Sequence, residues 1–282
     1  MAKIFALLLT LMIYGSVKAE TYQIYLGVAP GGPADVMVRK IFAEMEKRTK
    51  DTFVVLNRPG SDFVVSYQAF QQESTRNRNV IFVNNAGFYL STQTDYAHLN
   101  INPITDSKSL ITLVSFDMLI ISRKGSPIRG MADLRGKINL GYAGTTTKLL
   151  AEKLNLDPNI YLIPYKSDPA VIMALLADEV PVGTTLDISP IYRQYRQNFQ
   201  VIGNSKQLLG VSNAFGLSVP QRMPDAQVTA LNLAINQVLS DPEFIDWFVK
   251  TYHKRPHGGN PQEFDSIITD FYRKVSAGST RK

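Results

Sequence analysis

One recurrence constrains this chain more than anything else in it: a short β-branched or aromatic run, a loop holding Gly or Pro, then apolar residues at helical spacing. It appears at residues 22–28, followed by Ala29-Pro30-Gly31-Gly32-Pro33 and then by Met37, Val38, Ile41, Phe42 and Met45. Residues 53–56 and 80–83 are further runs of this kind, each ending in a polar or Gly-containing loop. The pattern returns at residues 138–142, with Ala143-Gly144-Thr145-Thr146-Thr147 and then Leu149, Leu150 and Leu154 behind it. It returns again at residues 160–163, where Asp168 reads as an N-cap and Pro169 as the first helical residue. Residues 180–184 and 199–202 complete a second set of strands around a helix near residues 189–196. Units of this kind build parallel sheets covered by helices, so the expectation is an α/β protein of two lobes. A chain of 282 residues suffices for two modest domains.

The last third reads as helices. Val228, Leu231, Ile235 and Val238 keep a three-four rhythm, a second helix carries Phe244, Ile245, Trp247, Phe248 and Tyr252, and a third follows the Gly258-Gly259 break from about residue 261 to 275. Trp247, Phe248 and Tyr252 read as core packing. Residues 113–122 and 213–219 are extended and apolar, and they are expected to lie between the lobes. Two such segments suit a chain that leaves one lobe, builds the other and returns. The expected lobes are residues 20–117 with 215–282, and residues 118–214.

Residues 1–19 read as a secretory signal peptide: Lys3 gives a positive start, residues 4–15 an apolar stretch, and Val17-Lys18-Ala19 a small-residue cleavage site before Glu20. As a helix the apolar stretch would reach only ~18 Å, short of a ~30 Å hydrocarbon core. The mature protein is therefore expected outside the cytoplasm. The chain has no Cys, which excludes disulfide frameworks, thiolate metal sites and Cys nucleophiles. Of its three His, His253 and His257 stand four apart, but Pro256 between them argues for a helix end rather than a metal pair, and no metal is expected. A net charge of +6 does not imply nucleic acid, because the basic residues are scattered among acids without aromatic interleaving. Phosphate-binding Gly loops, a nucleophile elbow and a zincin motif are all missing from the sequence, which removes support for nucleotide and triad chemistry.

Two loops carry the chemistry that remains. In Gly31-Gly32-Pro33-Ala34-Asp35 the glycines allow close backbone approach, Pro33 starts the helix, and the N–H groups of the first turn face the end of the preceding strand. Gly144-Thr145-Thr146-Thr147 offers the same arrangement in the other half of the chain, with hydroxyls added. An anion fits either loop, and an ordinary capped βα turn has the same sequence; spacing leaves both readings open. Asp35 falls at the third helical position, where it offsets the helix dipole and can cap backwards; it can equally accept from a ligand amine or from water, and spacing does not choose between these roles.

The run Val28-Ala29-Pro30-Gly31-Gly32-Pro33-Ala34-Asp35, then Asn57-Arg58-Pro59-Gly60, Pro164-Tyr165-Lys166, and Gly258-Gly259 ahead of Pro261-Gln262-Glu263-Phe264, occur in that order. In these motifs the chain resembles the extracytoplasmic substrate-binding receptors of tripartite tricarboxylate transporters, often called Bug-type receptors, over essentially the whole mature sequence. The resemblance implies a periplasmic-binding-protein-like, Venus-flytrap fold, two α/β domains joined by hinge strands. It implies a periplasmic protein that captures a small carboxylate without covalent chemistry or cofactor and delivers it to membrane permease subunits. By position, the first-lobe ligand loop is Gly31, Gly32, Pro33, Ala34 and Asp35 with Asn84, Asn85 and Ala86 beside it; the second-lobe loop is Gly144, Thr145, Thr146 and Thr147, with Thr185 nearby. The sequence departs from the family in three places. Ser61-Asp62-Phe63-Val64 stand where small residues are usual, Thr145-Thr146-Thr147-Lys148 replace a longer loop, and Ser167 follows Tyr165-Lys166 in place of Gly. Two other readings keep a similar two-lobed scaffold: a ligand-sensing module for a sensor kinase, and an enzyme.

Overall fold

The computed structural model describes residues 19–144 and 159–277. Among them are two five-stranded sheets. The first, in the order β2-β1-β3-β10-β4, is built from β1 (Thr21–Leu26), β2 (Thr52–Asn57), β3 (Val80–Asn85), β4 (Ser107–Phe116) and β10 (Asn213–Pro220). The second, in the order β7-β6-β8-β5-β9, holds β5 (Met118–Arg123), β6 (Ile138–Tyr142), β7 (Ile160–Pro164), β8 (Val182–Leu186) and β9 (Phe199–Asn204).

The runs expected to be parallel strands pair in that sense: β1 with β2 and β3, and β6 with β7 and β8. Residues 113–122 and 213–219, expected between the lobes, are instead mostly sheet. β10 is buried along its whole length and runs antiparallel to both β3 and β4, and β5 is antiparallel to both β8 and β9. A strand apolar on both faces is stabilised most where both faces are covered, which draws these segments into the sheets. The crossings shrink to Asp117, the one residue between β4 and β5, and to residues 205–212, which include the short helix Ser205–Leu209.

Helix α1 (Pro33–Arg48) buries Met37, Val38, Ile41, Phe42 and Met45 against the first sheet, as their spacing predicts. Helices α2 (Val64–Ser74) and α3 (Ala86–Gln93) follow β2 and β3; α4 (Pro103–Asp106) precedes β4; and α5 (Asp168–Leu176) and α6 (Pro190–Gln194) belong to the second half, with α7 (Ser205–Leu209) at the return crossing. The C-terminal helices are α8 (Asp225–Leu239), α9 (Pro242–Tyr252) and α10 (Pro261–Ala277). Val228, Leu231, Ile235, Val238, Phe244, Phe248 and Tyr252 join the core of the first sheet. Phe264, Ile268, Phe271 and Val275 of α10 pack in one cluster with Leu90 of α3 and with Met118, Ile120, Leu140 and Val182 of the second sheet. Helix α10 thus ties the two halves together. No helix among the described residues is long and apolar enough to cross a membrane.

Candidate functional site

A cavity of about 330 Å³ lies where the two halves meet, and the starts of three helices open onto it. Gly32, Pro33 and Ala34 come from α1, Asn85 and Gly87 from α3, and Ser167, Asp168 and Pro169 from α5; Ala143 and Gly144 follow β6. Each helix begins at or a few residues after a strand's carboxyl end, so the topology that makes the sheets also aims these ends at one space.

The first turn of a helix leaves its N–H groups without intrahelical acceptors and carries about half a positive charge. In α1 the cap is Gly32 and Pro33 has no N–H, which leaves Ala34 to present the first backbone donor. In α3 Asn85 is the cap: its Oδ1 accepts from Phe88 N–H at 3.0 Å, and Ala86 N–H donates to Asn213 Oδ1 at 2.9 Å. The start of α5 differs. Its cap is Ser167, whose side chain accepts from Ala170 N–H, and Asp168 stands one position later than the sequence pattern suggested. Ser has a single short acceptor that reaches the third N–H, and this frees the Asp168 carboxylate to turn elsewhere.

Asp168 turns into the second half. Thr185 and Ser189 donate their hydroxyls to its two carboxylate oxygens, and Leu186 N–H adds a third donation. Burial pushes the carboxyl above its usual range, and these donors offset part of that. A carboxylate at this helix start offsets the dipole there, so of the three ends those of α1 and α3 suit an anion best.

Asp35 is buried and faces away from the cavity. Gly31 N–H and Asn57 Nδ2 each donate to it at 2.9 Å and Arg39 Nε at 3.0 Å. Burial pushes this carboxyl up, but the three donations outweigh burial and hold it below the usual range. The clamp fixes Gly31 at φ +86°, a left-handed conformation that favours Gly, and so sets the angle at which the loop enters α1.

Of the residues singled out in the sequence, Gly32, Pro33, Ala34, Asn85 and Gly144 therefore line one cavity. Gly31 and Asp35 shape its edge from behind. Asn84 is buried against β10, where its Nδ2 is 3.5 Å from Ser218 Oγ, and Thr185 is buried and bound to Asp168. Thr145, Thr146 and Thr147 lie outside the described residues. His253 ends α9 in a left-handed conformation, and His257 Nε2 lies 3.5 Å from the Glu263 carboxylate, so the two do not share a helix.

Spacing did not reveal the apolar wall. Phe63, Phe88, Phe116 and Phe215 line the cavity together with Leu186. Phe116 and Phe215 face each other across β4 and β10 with ring centroids 4.7 Å apart, and Phe63 lies 6.3 Å from Phe88. Three consecutive residues leading to this wall, Ser61, Asp62 and Phe63, have φ of +45°, +53° and +73°. Among the described residues the charged side chains at the lining are Asp62, Lys166 and Asp168.

Behind the cavity, Lys254 pairs with Asp187 just after β8. Asp187 Oδ1 also accepts from Asp117 N–H at 3.0 Å, and Asp187 N–H donates to Asp117 C=O at 2.9 Å.

Residues 37–198 match the sequence model of the tripartite tricarboxylate transporter family receptor. A UPF0065 protein of Bordetella pertussis is 23% identical, the match taking in 92% of this chain and 90% of that one. Among solved structures, the periplasmic binding protein BugD has a TM-score of 0.77 at 19% identity, over 92% of this chain and 96% of its own. An R. palustris protein solved with adipate also has a TM-score of 0.77, at 17% identity, over 94% of this chain and 98% of its own. At these identities the structures speak to the fold, which is the two-lobed one seen here.

Proposed function

The chain belongs to the tripartite tricarboxylate transporter receptor family, and on that premise we propose that it is a periplasmic solute-binding receptor that closes two lobes over a small carboxylate and presents it to membrane permease subunits. The observation that carries this reading is the convergence of helix starts on one cavity between the halves. An anion there meets backbone donors and dipole ends from α1 and α3, worth up to ~2 kcal/mol per end when partly buried. Gly32, Ala34, Gly87 and Gly144 are the positions from which main-chain groups would reach it. Residues 20–117 with 215–282 and residues 118–214 would be the moving bodies, turning about Asp117 and residues 205–212. An R. palustris structure with adipate supports a carboxylate as the cargo class.

The reading is of a binder, with no bond made or broken. Its test is a thermal-shift panel of mono-, di- and tricarboxylates and amino acids on the mature protein. A ligand at 100 times its dissociation constant adds ~2.7 kcal/mol of stability, a shift of several degrees in a domain of this size. No shift with any carboxylate, or a chemical turnover of the added compound, would overturn the reading.

A further inference from the structure

Resting on that receptor reading, we propose that the cargo is a carboxylate with an apolar body, an aryl or medium-chain alkyl monocarboxylate, and that the Ser61–Phe63 turn sets this selectivity. Two independent observations carry it.

The first is the chemistry of the cavity wall. The helix starts and Gly144 offer main-chain donors that suit a single carboxylate. Most of the remaining lining is apolar: Phe63, Phe88, Phe116 and Phe215, with Leu186 beside them. A compact di- or tricarboxylate would set its remaining charges against these rings, which offer no hydrogen bond in place of its hydration. An apolar body loses nothing against them and gains from leaving water.

The second is the backbone of the turn. Ser61, Asp62 and Phe63 are all left-handed, directly after Gly60 at φ +133°. Residues with a Cβ take this conformation at a cost, and a run of three persists only where its surroundings hold it. What holds it is a close approach to the end of β1. A Cβ on Gly27 would lie 2.7 Å from Phe63 Cα and 2.5 Å from its ring, so Gly27 leaves room for the turn to sit directly on the strand. The ring then packs at 6.4 Å from Phe82 and 6.3 Å from Phe88 and stays partly exposed at the cavity. This strain places one phenyl ring where the resembling receptors carry small residues.

The test is calorimetric titration of the full mature chain with phenylacetate, hexanoate, malate and citrate, repeated on Phe63→Asn and Phe63→Leu. Asn tolerates a left-handed φ, which separates loss of the ring from loss of the fold, and Leu keeps an apolar side chain. The expected result is at least tenfold tighter binding of phenylacetate or hexanoate than of malate or citrate. That preference should fall roughly tenfold in Phe63→Asn, on the order of what removing the ring's buried surface costs, and fall less in Phe63→Leu. Malate or citrate binding as tightly as the apolar acids would overturn the inference and leave the receptor reading standing. An unchanged preference in Phe63→Asn would overturn the role of the turn. If none of the four acids bound, this inference would fail, and the wider carboxylate panel would decide whether the receptor reading fails with it. The wild-type titrations decide the ligand class even if a variant does not fold.

Discussion

Lys254 Nζ lies 2.7 Å from Asp187 Oδ2, joining the loop behind α9 to the residue that follows β8. Asp187 also exchanges two hydrogen bonds with Asp117, the residue at which the chain passes from one sheet to the other: its carboxylate accepts from Asp117 N–H, and its own N–H donates to Asp117 C=O. Burial pushes the Asp187 carboxyl above its usual range, and Lys254 offsets this. Replacing Lys254 by Met leaves the carboxylate without its cation, at an expected ~1–3 kcal/mol in urea unfolding at pH 7. Because the folded carboxyl then prefers its proton still more, the deficit should shrink at pH 4. Equal deficits at both pH values would count against the assignment.

Asp35→Asn removes the charge that clamps Gly31 and Arg39. Its folded value is held below the unfolded one, so its contribution is fully present above ~3.9 and is lost as pH falls through the lower folded value. The expected difference from wild type is ~1–3 kcal/mol at pH 7 and fades toward zero in strong acid. Denaturation curves at pH 7, 5 and 3 measure it, and a difference that grows on acidification would refute the clamp.

Asp168→Asn should behave in the opposite sense. The folded carboxyl is raised, so wild type loses stability as pH climbs from ~3.9 through the higher folded value. Asn cannot ionise and can still accept from Thr185. Melting temperatures should therefore match at pH 3 and favour the variant at pH 8. A variant less stable than wild type at pH 8 would mean that the ionised form is the one the Thr185 and Ser189 donors were built to hold.

Gly27→Ala forces a Cβ against Phe63 and is expected to cost ~1–3 kcal/mol. In a Phe63→Gly background the ring contacts disappear while the contact with the Phe63 Cα position stays. The penalty should then be smaller but not zero, a coupling that a double-mutant cycle on unfolding free energies reads directly.

The fold was legible because its signals are local. The run of Met37, Val38, Ile41, Phe42 and Met45 needs only a helical period to be recognised, and each lies on the buried face of α1. Strand direction was not, since nothing in residues 213–219 says that they lie antiparallel between β3 and β4. The helix-start side of the site was readable for the same local reason: Gly32, Pro33 and Ala34 are neighbours in sequence. Asp35, Asn84 and Thr185 were marked for ligand, but each turns to a partner from another element, Asn57, Ser218 and Asp168. The apolar wall draws on Phe63, Phe88, Phe116 and Phe215, and only the tertiary fold brings such distant positions together. The one local hint was Ser61-Asp62-Phe63 standing where small residues are usual.

A proposed grip on a head group by main-chain amides has an evolutionary consequence. Peptide N–H groups are the same whatever residue carries them, so drift in sequence would leave such a grip untouched as long as the helices still begin where they do. Divergence in cargo would then fall to the few side chains around that cavity, which can be exchanged one at a time without rebuilding the fold.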